Sequence, residues 1–335
     1  MVRKSRAVDL PKCLYLEVTN RCNLKCKGCI IYKGGWEPER DMSFAEVKMI
    51  AAQLPGLKRA VLHGIGEPLL NRELTAMICH LKKRKVTVLF NSNGLLLNEK
   101  KQEELIGSHL DELRISLDAA SESGYKAIRE SNKFSLIVHN LSGFAERLKS
   151  RNSPKPKLSL WFMGTTENIS ELPALIKLAA QIGIGEVYLQ RLVYFLDDQG
   201  YGLARSEMTL TNPDATVQRF IQRSEERAQQ LGISLSASGL TDPLHSVQGK
   251  TRQKAPWKNC VRPWELIYIT SHGNVLPCCI SPFSTADYSS IILGNIFEQP
   301  LDAIWSNAKY QAFRTRHQTG SPPNCCQGCG IHWSL

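Results

Sequence analysis

No apolar stretch in these 335 residues approaches the ~20 residues of a membrane-spanning helix, so no membrane association is expected. A secretory segment is also missing, so a cytoplasmic location is expected, where stable disulfides are rare. Acidic residues are the scarcer charge. Against 42 Lys+Arg stand 31 Asp+Glu, a formal net charge of +11. Part of the excess is clustered, in Lys82-Lys83-Arg84-Lys85 and Lys155-Pro156-Lys157. Such a surface can attract nucleic acid. Two short clusters read more simply as a solvated basic face, or as a patch for an acidic electron donor, and no nucleic-acid partner is expected. There is no internal repeat and no low-complexity tract. Cysteine is absent from the whole middle of the chain, with none between Cys79 and Cys260.

What cysteine there is therefore falls in two groups. Eleven residues, in a reducing compartment, read as metal sites. The first group is Cys22-Asn23-Leu24-Lys25-Cys26-Lys27-Gly28-Cys29, spaced C-x3-C-x2-C. A fully ligated [4Fe–4S] cluster takes four cysteines. Three thiolates leave one corner open to bind and activate a further molecule, as in open catalytic metal sites. A zinc site would need a fourth nearby Cys or His; the nearest are Cys13, at the far end of a strand, and His63, on the next. A disulfide framework suits neither the compartment nor a chain of this length. The motif follows an apolar run over 14–18, hence the loop at the C-terminal end of a first strand, where barrel enzymes keep their chemistry.

The chain alternates short β-branched runs with amphipathic stretches. Strands are expected over 14–18, 59–63, 86–91, 112–117, 157–163 and 186–192. Helices are expected over 43–54, 72–83, 99–106, 124–130, 134–149 and 169–181. Ser43 with Glu46 makes a capping box, and Gly183 closes a helix. Six βα units imply an α/β fold, a partial (βα)6 TIM-like barrel over 1–236. Residues 237–258 are rich in Pro, Ser, Gly and Lys and read as a linker. A small α+β domain over 259–335 follows. Its hairpin runs over 264–269 and 274–277, its helix over 301–316, and its close is a cysteine cluster over 324–330.

Taken in order, these residues resemble the radical S-adenosylmethionine (radical SAM) superfamily. Gly64-Ile65-Gly66-Glu67-Pro68 is similar to its glycine–glutamate motif. Gly64 and Gly66 would let the backbone approach the cofactor, and Glu67 would pair with the methionine ammonium. Asn91-Ser92-Asn93-Gly94 is similar to the family's polar turn, with Asn93 at the cofactor. The resemblance implies that Ser116 and Asp118, on one face of the fourth strand, bond the ribose hydroxyls. Arg129 would bind the SAM carboxylate, and Gln190, beside Arg191, would lie near the adenosine. Gly28 departs from the pattern, since relatives often carry a bulky residue there against the adenine.

The second thiol group resembles the auxiliary iron–sulfur domains called SPASM and twitch. Cys260, Gly273, Cys278, Gly294-Asn295-Ile296, Trp305 and the pair Cys326-Gln327-Gly328-Cys329 match that signature. Six residues follow Cys329, so the shorter twitch form is expected, with a second [4Fe–4S] cluster on Cys260, Cys278, Cys326 and Cys329. A structural zinc on four thiolates is the simpler alternative. Cys279 and Cys325 are left as spare ligands, free thiols or hydrogen donors near the pocket.

The resemblance implies two [4Fe–4S] clusters, SAM, and a flavodoxin- or ferredoxin-like electron donor. Reductive cleavage of SAM would give a 5′-deoxyadenosyl radical that abstracts a hydrogen atom. About 12 residues precede the first strand, which argues against a separate leader-peptide-binding domain. Twitch-bearing relatives include aminocyclitol dehydrogenases, and related enzymes include sugar epimerases, so the resemblance implies a small-molecule substrate, carbohydrate- or aminocyclitol-like, with net oxidation as the outcome. The alternatives are a radical SAM epimerase using Cys279 or Cys325 as donor, a maturase of a peptide, and a non-catalytic Fe–S or zinc scaffold that binds nucleic acid.

Overall fold

The computed structural model describes residues 9–192, 206–210, 213–238, 242–247 and 256–327. Six parallel strands follow in chain order, each beside the next: β1 (Cys13–Leu16), β2 (Arg59–Val61), β3 (Thr87–Ser92), β4 (Glu112–Ser116), β5 (Lys157–Gly164) and β6 (Glu186–Arg191). Between them run α1 (Phe44–Ala52), α2 (Leu74–Lys83), α3 (Glu99–Gly107), α4 (Glu122–Arg129), α5 (Phe134–Ser150) and α6 (Leu172–Ile182). The expected α/β frame is present. Ser43 caps α1, accepting from Glu46 N–H at 3.3 Å while its own N–H donates to Glu46 at 2.7 Å. Gly183 ends α6 in the left-handed region, at φ 89°. Helix α4 begins at Glu122, two residues before the expected start, because Ser121 accepts from Gly124 N–H and caps it.

A seventh parallel strand lies beyond the six. After α7 (Ala215–Leu231), β7 (Ser234–Ala237) pairs with β6. Its Ser-Leu-Ser-Ala sequence carries little β signal. Within 237–258, expected as a linker, Ala237 closes β7 and Pro243–Val247 forms α8. Residues 239–241 and 248–255 lie outside the described residues.

The C-terminal segment joins the same sheet. It runs α9 (Arg262–Glu265), β8 (Leu266–Ile269), β9 (Asn274–Leu276), β10 (Gly294–Asn295), α10 (Leu301–Trp305), α11 (Ala308–His317) and α12 (Asn324–Gln327). Strand β8 lies parallel to β1, with Cys13 opposite Leu266 and Tyr15 opposite Tyr268. Strands β9 and β10 continue antiparallel to the edge of a ten-stranded sheet. Residues 264 and 265, expected in the hairpin, are helical because Pro263 opens a turn of helix there. The hairpin turns on Gly273 at φ 82°, a conformation that favours glycine.

Period two sets the two faces of β1 and its continuation. Leu14, Leu16 and Val18 are fully buried in the apolar core, while Tyr15, Glu17 and Thr19 share the opposite face. Among the described residues no helix is long and apolar enough to cross a membrane.

Candidate active site

The loop after β1 carries the first three thiols and is pinned at both ends. Thr19 donates to Asp41 at 2.6 Å, and Arg21 Nε donates to the same carboxylate at 2.9 Å. The thiol run folds back on itself, with Cys29 N–H bonded to the Cys26 carbonyl at 3.0 Å. Each sulfur meets donors. Leu24 N–H serves Cys22, and Ile31 and Ile30 N–H serve Cys29. Asn93 Nδ2 reaches Cys22 at 3.9 Å, and the Arg129 guanidinium reaches Cys26 at 3.5 Å. Burial pushes the Cys22 thiol up to about 12 and the Cys29 thiol up to about 11. Thiolates form there when a bound metal drives the proton off. Arg129 Nε, beside Cys26, is buried with no partner among the described residues, an orphaned donor that a bound anionic group would satisfy. Three sulfurs with N–H and guanidinium donors around them fit a thiolate-held iron–sulfur cluster with one corner free of protein. Among the described residues no three His, Cys, Asp or Glu are gathered tightly enough for a single metal ion.

The polar residues expected at the strand ends do converge, but with each other. Glu67 is 3 % exposed. It accepts from Asn93 N–H at 2.7 Å, Ser92 Oγ at 2.9 Å and Leu69 N–H at 3.1 Å, leaving about one lone-pair position of four for a ligand. Burial raises its carboxyl to about 6. Asp118 pairs with Arg129 and accepts from Met163 N–H at 2.8 Å. Burial works against the Arg129 charge, yet Asp118 and Cys26 hold its pKa above the ordinary value. Arg129 thus links Asp118 to the thiol loop. Ser116 enters this network through its carbonyl, which accepts from Arg129 at 3.3 Å. Asn93 also donates to Asn23 in the thiol loop at 2.7 Å. Gln190 stands on β6 opposite Met163 and joins none of these bonds.

The two glycines of the turn have a different reason from the expected one. A Cβ on Gly64 would stand 2.3 Å from a Glu17 carboxylate oxygen and 2.4 Å from the Tyr268 hydroxyl; one on Gly66 would stand 2.3 Å from the Thr19 carbonyl. Both make room for the protein's own chain.

Glu17 is the residue that sequence reasoning missed. It is 1 % exposed and accepts from Ile65 N–H at 2.8 Å, Tyr268 Oη at 3.0 Å, and Ser271 N–H and Oγ at 3.2 Å each. One buried carboxylate therefore ties β1, the glycine turn and the end of β8. Burial raises its pKa. The available signal was a charged residue inside an apolar strand run. Beside it opens a cavity of about 150 Å³ between the thiol loop, Ile65 and the C-terminal segment.

The second thiol group is partly gathered. The Arg262 guanidinium reaches Cys279 at 3.3 Å. Burial opposes its charge, but Cys279, Cys278 and Cys260 together hold its pKa up. Cys325 and Cys326 lie with their sulfurs 3.9 Å apart, and Ser284 ties their helix to the turn after Cys278 through the Cys325 carbonyl at 2.8 Å. Cys329 lies outside the described residues. Neither Cys279 nor Cys325 is drawn to the strand-end network, so nothing in this placement favours either as a hydrogen donor there. Cys279 instead acts on Cys13, at the start of β1, whose thiol burial pushes up to about 11. Cys13, at the far end of the first strand from the thiol loop, thus lies within electrostatic reach of the second group.

Comparison with known proteins gives concordant results. The family model of the radical SAM superfamily matches residues 16–179, and that of an iron–sulfur cluster-binding domain, SPASM, matches residues 260–330. The chain is 25 % identical over 337 residues to the tungsten-containing aldehyde ferredoxin oxidoreductase cofactor-modifying protein of Pyrococcus furiosus, covering 94 % of this chain and 86 % of that one. It is 25 % identical to the PqqA peptide cyclase of Gluconobacter oxydans, covering 95 % and 82 %. The fold resembles Streptococcus suis SuiB bound to S-adenosylmethionine, with a TM-score of 0.68 at 17 % identity, covering 97 % of this chain and 72 % of that one.

Proposed function

Because the chain belongs to the radical SAM superfamily and carries a SPASM iron–sulfur domain, we propose that it modifies a peptide by a net two-electron oxidation. It is a radical SAM enzyme whose cofactors are SAM and iron–sulfur clusters. The observation that carries the reading is the loop Cys22–Cys29, with Arg129 and Asn93 at its sulfurs and Glu67 and Asp118 beside them. The chemistry supplied by a bound reduced cluster and SAM is hydrogen-atom removal from an unactivated C–H bond.

The chain's own residues bind and position. Arg129, fixed by Asp118, keeps a positive charge against Cys26. Asn93 holds the thiol loop to the end of β3 through Asn23. Glu17 fixes the glycine turn that carries Glu67. The C-terminal segment supplies Tyr268, Thr270, Leu276, Pro282 and Tyr288 to the cavity wall.

A peptide is favoured over the carbohydrate-like substrate expected from the sequence. A relative aligned over 95 % of the chain is named a peptide cyclase, and SuiB, of similar fold, has been solved with a precursor peptide. The test is anaerobic turnover with a panel of short synthetic peptides of mixed sequence, run beside a panel of carbohydrates and aminocyclitols. A product about two mass units lighter, with one 5′-deoxyadenosine per product, supports the reading. An unchanged peptide alongside an oxidised carbohydrate overturns the substrate class. A product of equal formula carrying one solvent deuterium overturns oxidation in favour of epimerisation.

A further inference from the structure

The cavity beside Glu17 has a lining unlike the rest of this basic chain. Glu17, Glu37 and Glu39 contribute three carboxyl groups against one ammonium, that of Lys25. Glu37 is held by three donors from the C-terminal segment, all on one oxygen: Asn274 Nδ2 at 2.6 Å, Tyr288 Oη at 2.9 Å and Thr270 Oγ1 at 3.3 Å. Asn295 in turn fixes Asn274 at 3.1 Å. The other Glu37 oxygen accepts no hydrogen bond from the described residues. A carboxylate so firmly oriented, with one oxygen left over at a cavity wall, is preorganised for a donor that the described residues do not supply.

The neighbouring wall is aromatic. Trp36 stacks on Tyr288 with centroids 5.2 Å apart and rings 8° from parallel, and Trp36 Nε1 is anchored to the Pro282 carbonyl at 2.9 Å. Carboxylate beside aromatic face is the chemistry that recognises a cation. At about 150 Å³ the cavity is smaller than the roughly 300–1,000 Å³ that encloses a whole small ligand. Its size is that of one side chain.

We propose that this cavity is a specificity pocket for a basic side chain, lysine or arginine, of the peptide substrate, with Glu37 as its determinant. The inference rests on the peptide reading given above. The pocket joins the thiol loop to the C-terminal segment, so a residue seated in it would register the peptide across both.

The experiment is calorimetric titration of the reconstituted, SAM-loaded protein, under anaerobic conditions, with capped Gly-Lys-Gly, Gly-Arg-Gly and Gly-norleucine-Gly. The lysine or the arginine peptide should bind about tenfold tighter than norleucine, the loss expected for one charge-assisted hydrogen bond. Either basic peptide as the tighter one supports the pocket and names its preferred head group. Glu37→Gln should bring both down to the norleucine value. Should that variant fail to fold, Glu39→Gln on the exposed rim decides, with a smaller loss of the same preference. Norleucine binding as tightly as lysine and arginine, or a preference untouched by both variants, overturns the proposal. Binding is read without turnover. Basic peptides that bind but are not oxidised would therefore count against the proposed function and leave the pocket standing.

Discussion

The two thiol regions are built on opposite plans. Cys22, Cys26 and Cys29 lie on one loop, and their sulfurs are served by that loop and by the ends of β3 and α4. Cys260, Cys278, Cys279, Cys325 and Cys326 come from separate segments. Arg262, the β8–β9 hairpin and Ser284 gather them through tertiary contacts. A local ligand set needs little of the fold to exist; a distributed one exists when the sheet is complete. Damage to the first should therefore remove chemistry and spare the fold, whereas damage to the second should disturb what happens after SAM is cleaved.

The sharpest break is the triple replacement of Cys22, Cys26 and Cys29 by Ala. Formation of 5′-deoxyadenosine should fall to background and iron content by about four atoms per chain, with the thermal midpoint nearly unmoved. Retained iron would mean that the loop is not a cluster site. Replacing Cys278 and Cys326 by Ser should spare SAM cleavage but lose product. Equal loss of cleavage in both variants would erase the distinction between the regions.

The next effects fall on the links between regions. Asp118→Asn leaves the Arg129 charge buried without its partner, at a cost of about 3 kcal/mol or more in denaturant unfolding without SAM. An unchanged midpoint would show that Asp118 serves the ligand alone. Glu17→Gln puts an amide where four donors converge and should cost about 1–3 kcal/mol. Tighter binding of SAM by this variant would contradict a positioning role for Glu17.

The smallest effect is one of pH. Burial raises Glu67 to about 6, from 4.5 in the unfolded chain. The stability linked to this group is thus fully present below 4.5 and lost as pH rises through about 6. Pairing with a cation runs the other way, since it needs the carboxylate. Between pH 7 and pH 5, SAM affinity should fall about tenfold, as measured by equilibrium dialysis. A flat profile would show that Glu67 braces the turn without touching SAM.

Much of this was legible in the sequence for one physical reason: periodicity and capping are local. The six parallel strands, the Ser43–Glu46 box and the Gly183 cap all follow from residues a few positions apart. The thiol loop is legible in the same way. Strand β7 was not, because its serines and its place at the sheet edge leave little pattern. The parallel pairing of β8 with β1, more than 250 residues earlier, has no local trace. The roles of Glu17 and Gly64 follow from that pairing, since both are set by Tyr268 arriving from β8. Glu67 and Asp118 were found through their resemblance to family motifs at successive strand ends. That they are engaged mostly with protein donors could be seen from their partners alone.

The most direct measurement is 5′-deoxyadenosine release, by mass spectrometry, from the anaerobically reconstituted, dithionite-reduced protein given SAM alone. The expected result is release by the wild-type chain, loss in the Cys22/Cys26/Cys29 variant and retention in the Cys278/Cys326 variant. A wild-type chain that carries its clusters and SAM yet releases no 5′-deoxyadenosine would contradict the account.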